Sequence, residues 1–295
     1  MSASSYSAEK LLRVTLILAG SGSTFPGTNS NTLILSNLRV TATVQAVARL
    51  AVQADISIYG MLRADMDALT VAWANPPIVR DHIVILEANS GDGWTQVFKG
   101  TILEAQPDYQ SAPDVFFRLQ AITGYFQKIN AAAPNSYQGA VKIGAVVADL
   151  AGKMGFTYTD GGATGVLNSP YLSGSLFDQL QQACQAAQAD FYIQGDTILV
   201  TPQGLPRKQQ PSLVLNADSG LIGYPSYERA GLNVVAIFDP AILCGSPIDI
   251  QSIVPSASGR WYPYSTQHLL ESKMPDGAWF SKMFCLRVLG EDSTP

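Results

Sequence analysis

Short runs of alternating apolar and polar residues, broken by Gly, Pro, Asn and Asp, cover most of this chain. A period of two is the mark of a half-buried strand. On that basis the first part of the chain predicts strands over Arg13 to Ala19, Thr32 to Ser36, Val40 to Val47, Asp55 to Gly60, His82 to Ala88, Thr95 to Gln106 and Val115 to Thr123. The Gly/Ser/Thr/Asn-rich stretch 20–31 is a long loop, and 89–93 is a turn. One helix interrupts the series, Arg63 to Val71, with Met66 and Leu69 three apart on one face.

The pattern changes over residues 131–208. Val141 to Met154 has helical spacing, with Val141, Ala145, Ala148 and Met154 near one face. Gly155 follows where a helix end favours left-handed backbone. The stretch Ser173-Gly174-Ser175-Leu176-Phe177-Asp178 offers a Ser N-cap with Asp a few residues on, and the helix that follows runs to about Gln188, lined by Leu176, Leu180, Cys184 and Ala187. Phe156 to Thr159 is a short strand. Phe191 to Gln194 and Thr197 to Thr201 form a hairpin around Gly195-Asp196. The Pro-rich stretch 202–211 reads as a linker.

From residue 209 the strand pattern returns. Leu232 to Phe238 stops at Asp239-Pro240, and Pro247 to Ile253 alternates between a buried and a wet face. Trp261 to Glu271 and Ala278 to Val288 are joined by Pro275-Asp276-Gly277, with Pro presetting φ and Gly accepting positive φ. The expected fold class is mainly β with a small α+β insert. The segments are a first β domain at 1–130, the insert and linker at 131–208, and a second, antiparallel β domain at 209–295 ending in a frayed tail at 291–295.

Composition narrows the function. Only 14% of residues are charged, against about 25% in an average soluble domain, and charge is depleted at interface cores. Basic and acidic residues number 9 and 10 in residues 1–130, 4 and 5 in 131–208, and 5 and 8 in 209–295. With no net basic segment, a broad nucleic-acid-binding field is excluded. No apolar run reaches the roughly 20 residues of a membrane span, and the Val14 to Ala19 run is too short for a signal peptide and reads as a strand. Cys184, Cys244 and Cys285 form no CxxC pair and read as buried reduced thiols.

Candidate chemistry is sparse. The two histidines, His82 and His268, each fall within a strand. Asp65 and Asp67 are two apart on a helix and share no face. Asp239 and Asp249 border strands and read as turn formers. The loop at 20–31 lacks the spacing of a phosphate-binding loop. No catalytic, cofactor-binding or metal-binding residue is assigned. Trp261, Tyr262, Tyr264, Trp279 and Phe280 suit either a sugar-stacking platform or core and interface packing; the second is favoured, because Trp and Tyr bury large areas while keeping a polar tip.

These residues also carry a resemblance. The order Gly223-Tyr224-Pro225-Ser226-Tyr227, then 231–242 (GLNVVAIFDPAI), 245–252, 259–272 (GRWYPYSTQHLLES) and 275–281 (PDGAWFS) resembles the C-terminal part of the central hub proteins of phage tail baseplates. The N-terminal part fits through Asn31-Thr32-Leu33, Leu38-Arg39, Met66 to Thr70 and Trp94 to Ile102. The likeness spans most of the chain and is weakest between Gly155 and Gly174. It implies two domains like tail-tube subunits, of β-barrel or sandwich type. Three chains then form a homotrimeric ring of six such domains that joins the sixfold tail tube to a threefold spike. The implied partners are the tail tube protein, the central spike protein, the tape measure protein and the baseplate wedge proteins. DNA passes the lumen without specific binding, and the protein resides in the virion baseplate after synthesis in the host cytoplasm. On this reading the chain is not an enzyme, and Tyr224, Pro225, Phe238, Asp239, Pro240, Trp261, Tyr264 and Trp279 are interface candidates. Two other readings are a cell-wall-directed tail protein, binding or cleaving peptidoglycan, and the hub-like protein of a non-contractile tail.

Overall fold

Strands take 46% of the chain and helices 14%, so the protein is mainly β. The computed structural model describes residues 10–70, 79–89, 91, 93–208 and 211–288. The turn expected at 89–93, the end of the first helix at Val71, part of the 202–211 stretch and the 291–295 tail include residues outside that set. Two compact units divide the chain: residues 1–45, 52–123 and 267–280 make the first, and 46–51, 124–266 and 281–295 the second.

The first unit is built on β1 (Leu11–Ile17), β2 (Thr32–Ser36), β3 (Arg39–Val47), β4 (Gln53–Tyr59), α1 (Arg63–Leu69), β5 (Ile83–Asn89), β6 (Thr95–Asp108) and β7 (Phe116–Ile122). Its sheet runs β3-β4-β7-β6-β5-β1-β2, each pair antiparallel. The alternation read from the sequence is physical here: Val14, Leu16, Val40, Ile56, Ile58, Val84, Leu86, Phe117 and Leu119 are all buried. Met66 and Leu69 of α1 are buried too, and α1 packs on β6. Gly100 has no room for a side chain: a Cβ would lie 2.8 Å from the Ile122 backbone.

The second unit begins with α2 (Tyr125–Ile129), β8 (Asn135–Ser136), β9 (Ala140–Lys142), α3 (Ile143–Met154), β10 (Thr157–Asp160), β11 (Val166–Asn168), β12 (Tyr171–Leu172), α4 (Leu176–Ala186), β13 (Ala189–Gln194) and β14 (Thr197–Pro202). A three-stranded sheet, β10-β14-β13, carries α3 and α4. Gly155 ends α3 at φ 79°, as expected. The Ser175 hydroxyl accepts from Asp178 N while the Asp178 carboxylate accepts from Ser175 N, a full capping box on α4. The buried face of α3 differs from the expected one. It is Ile143, Val146, Val147, Leu150, Ala151 and Met154, while Ala145 and Ala148 are exposed and Val141 lies in β9. Alanines bury too little area to orient a helix; the larger side chains decide.

The same unit continues through β15 (Leu213–Leu215), β16 (Ser226–Glu228), β17 (Gly231–Ile237), β18 (Ile248–Ile250), and parts of β19 (Gly259–Ser272) and β20 (Trp279–Arg287). The order β16-β17-β20-β19 has β18 on the far end of β19. Leu232, Val234, Ala236, Ile242, Ile248, Ile250, Trp261, Met283 and Cys285 form its core. Two expectations are corrected. One pair here, β15 with β18, is parallel. At the turn after β19, positive φ falls on Lys273 (55°) and Asp276 (53°), not on Gly277. Gly277 is needed for closeness instead, since a Cβ would lie 3.0 Å from Glu271 Cβ. The tube-like likeness also does not extend to a closed barrel: among the described strands β2 pairs with β1 alone and β16 with β17 alone, so the strand order stays open.

Candidate assembly surface

The hairpin ending in β16 is interrupted. Leu221 bridges to Ala236, and Ile222 N donates to Val235 O at 2.8 Å. Pairing resumes with Ser226 opposite Asn233. Gly223, Tyr224 and Pro225 therefore face one residue, Val234, and the surplus backbone must bulge. Gly223 allows this with φ 67°, and Pro225 is buried. Tyr224 is thrown outward, 70% exposed. Tyr227 on β16 is 56% exposed, and its hydroxyl meets Ser256 Oγ at 2.5 Å, which holds the ring beside the turn carrying Ile253, 79% exposed. Ile222 is exposed as well. The result is an aromatic and aliphatic patch along a strand edge, the composition that interfaces favour.

A second such edge lies in the first unit. β2 pairs only with β1 among the described strands. Leu33 and Leu35 are half-buried and Ile34 is 59% exposed, so neither face of this strand is sealed. From Val14 to Leu38 the chain has no charged residue.

Of the other interface candidates, Trp261, Trp279 and Phe238 are buried inside the chain, and Tyr264, Asp239 and Pro240 are half-buried. Trp261 Nε1 donates to Ala257 O at 3.0 Å, anchoring it in the core, and the Arg287 guanidinium lies 5.7 Å from its ring centroid. Tyr262 is buried too, so neither ring presents an open stacking face. Asp239 is a turn former: its Oδ1 accepts from Ala241 N at 2.8 Å, just past the end of β17. Sequence reasoning did not single out Ile34, Tyr227 or Ile253. For Ile253 a signal existed, because it shares the parity of the polar Asp249 and Gln251 and so falls on the wet face.

Among the described residues no three His, Cys, Asp or Glu side chains converge as metal ligands. His82 is buried, with Nδ1 accepting from Ala19 N at 2.9 Å, and burial lowers its pKa. Burial holds His268 at about 4. Asp65 is buried with its pKa raised by burial, while Asp67 reaches Arg63 at 3.8 Å in solvent. The three cysteines are free and buried, and burial pushes Cys184 up to about 12 and Cys244 to about 11. Thiols held protonated in this way are poor nucleophiles.

The fold is that of tail proteins. The tail protein from Neisseria meningitidis MC58 superposes with a TM-score of 0.60 over 94% of this chain and 96% of its own, at 10% identity. The 43 kDa tail protein of prophage MuSo2 from Shewanella oneidensis gives 0.60 over 95% and 97%, at 9% identity. An E. coli type VI secretion component, described as similar to the T4 tail proteins gp27 and gp5, gives 0.55 over 92% and 76%, at 9% identity. No curated protein is significantly similar in sequence. The chain itself belongs to the baseplate hub gp41 family, whose profile matches residues 11–282. It is thus a structural component of a phage tail, and no helix among the described residues is long and apolar enough to cross a membrane.

Proposed function

We propose that this protein is the baseplate hub that joins a tail tube to the central spike. In this role three copies form a ring whose six β domains, residues 1–130 and 209–295 of each chain, continue the sixfold tube, and whose lumen passes DNA. The observation that carries the reading is the family match over residues 11–282. The exposed strand edges at β2 and β16 support it, since they offer surfaces for self-assembly. Tyr224 is the interface candidate with most surface to offer. The tail tube and spike proteins are the direct partners, with the tape measure and wedge proteins adjoining. The E. coli relative described as similar to gp27 and gp5 supports a spike partner by shared fold. A neutral or acidic lumen suits this role, because each Lys or Arg facing DNA adds phosphate affinity that slows sliding, and the absence of any net basic segment is compatible with it. Light scattering at micromolar concentration and electron microscopy of the purified protein test this. The expected result is a trimer showing a threefold ring with a central hole; a stable monomer that also fails to assemble with tube or spike overturns it.

A further inference from the structure

Between β1 and β2 the chain makes an uncharged loop, residues 20–31 (GSGSTFPGTNSN). Its backbone bonds run within the loop: Ser23 N donates to Gly20 O, Thr28 N to Phe25 O and Phe25 N to Ser30 O. Leu18 N closes the base on Asn31 O at 2.8 Å. Two contacts fasten it to the first unit. The Phe25 ring is buried, and Ala19 N donates at 2.9 Å to Nδ1 of His82, the residue that precedes β5. His82 can make that bond in one protonation state. An Nδ1 that accepts is bare, so the ring is neutral and its proton sits on Nε2. Nε2 is itself buried with no partner among the described residues. A second proton, on Nδ1, would set two N–H donors against each other and leave a cation at a site 3% exposed.

We propose that His82 is an acid-sensitive latch: protonation of its Nδ1 releases Ala19 and lets the 20–31 loop lift away, uncovering Phe25 while the strands of the first unit stay folded. Burial and Arg80 lower the pKa of the latched ring, and Asp81 opposes them. Asp81 is held in turn by the Thr101 hydroxyl, which donates to its Oδ1 at 3.4 Å. The stretch Val14 to Leu38 brings no charge to the site. On β6, whose Ile102 N donates to His82 O at 2.8 Å, the nearest titratable residues in sequence are Lys99 and Glu104. Once released, the ring regains solvent and its ordinary pKa of 6.5. Release therefore takes up a proton. The released fraction is flat well above 6.5 and grows as pH falls, by up to about tenfold per pH unit, until the latched ring itself titrates.

The test is hydrogen exchange read by mass spectrometry on the full chain at about pH 7.5 and about pH 5, with exchange times scaled to the intrinsic rate at each pH. Peptides over 18–31 report the latch, and peptides over β4 (Gln53–Tyr59) report opening of the whole unit. Protection of 18–31 is expected to fall about threefold or more at the lower pH while β4 keeps its own. His82→Gln retains a neutral acceptor for Ala19 N and is expected to leave the loop equally protected at both. Unchanged loop protection in the parent overturns the proposal. An equal loss in β4 overturns it as well, since the event is then unfolding of the unit. A loop loss that persists in His82→Gln places the titrating group elsewhere and overturns the latch. The comparison of loop with β4 inside the parent decides the matter even where the variant does not fold.

Discussion

Acid should weaken the first unit through His268. This residue sits on the buried side of β19 with Leu270 and Ser272. Burial disfavours its charged form and holds its pKa at about 4, against 6.5 in an unfolded chain. Between those values the unfolded state binds more protons than the folded one, so stability falls as pH drops. Above 6.5 the imidazole is neutral in both states and stability is flat. At 1.36 kcal/mol per pK unit, the loss reaches about 2 kcal/mol by about pH 5. It approaches a full value of about 3 kcal/mol only near pH 4. His82, also buried and lowered, adds in the same direction. Asp65 acts oppositely, since its raised pKa lets the folded state hold a proton above 3.8, but its window lies at the acid end. The assay is urea unfolding followed by tryptophan fluorescence at about pH 7.5 and about pH 5, on the parent, His268→Gln and His82→Gln. His268→Gln should remove most of the difference between the two conditions, and His82→Gln a smaller share. Equal stability of the parent at both conditions would refute the argument. So would a His268→Gln protein that keeps the whole difference.

Three further outcomes follow from packing and exposure. Gly231→Ala places a Cβ 2.3 Å from Cys285 O, so β17 and β20 must separate; a loss of about 1–3 kcal/mol in denaturant unfolding is expected, and a neutral result contradicts the close approach. Arg49→Met strips Asp190 of its 2.5 Å partner and leaves a buried carboxylate with the Gly204 N–H at 3.3 Å. That should cost about 3 kcal/mol, largely recovered in the double variant with Asp190→Asn. Tyr224→Ala, at a solvent-facing position, should change folding stability by less than about 0.5 kcal/mol while weakening self-association; equal losses in both assays would make Tyr224 a folding residue.

The sequence alone determined what depends on near neighbours. The first-unit strands, a Ser N-cap within 173–178, the left-handed Gly155 and the hairpin at Gly195-Asp196 were legible because each is decided by residues within a few positions of one another. So was the family, through the spacing of turns and aromatics from Gly223 to Ser281. Tertiary structure decided the rest. Residues 267–280 join the compact unit of the N-terminal strands, although composition groups them with the chain around them. The pairing of Arg49 with Asp190, 141 positions away, has no local trace. Trp261 and Trp279 read equally as core or interface from their chemistry, and only the neighbours supplied by distant strands bury them. Ile34 sits in the apolar run of a predicted strand, yet it is exposed, since among the described strands only β1 pairs with β2. Hydrophobic pattern sets which side chains seek burial, but the strand that covers them is chosen by long-range pairing, whose loop-closure cost and register no local window contains.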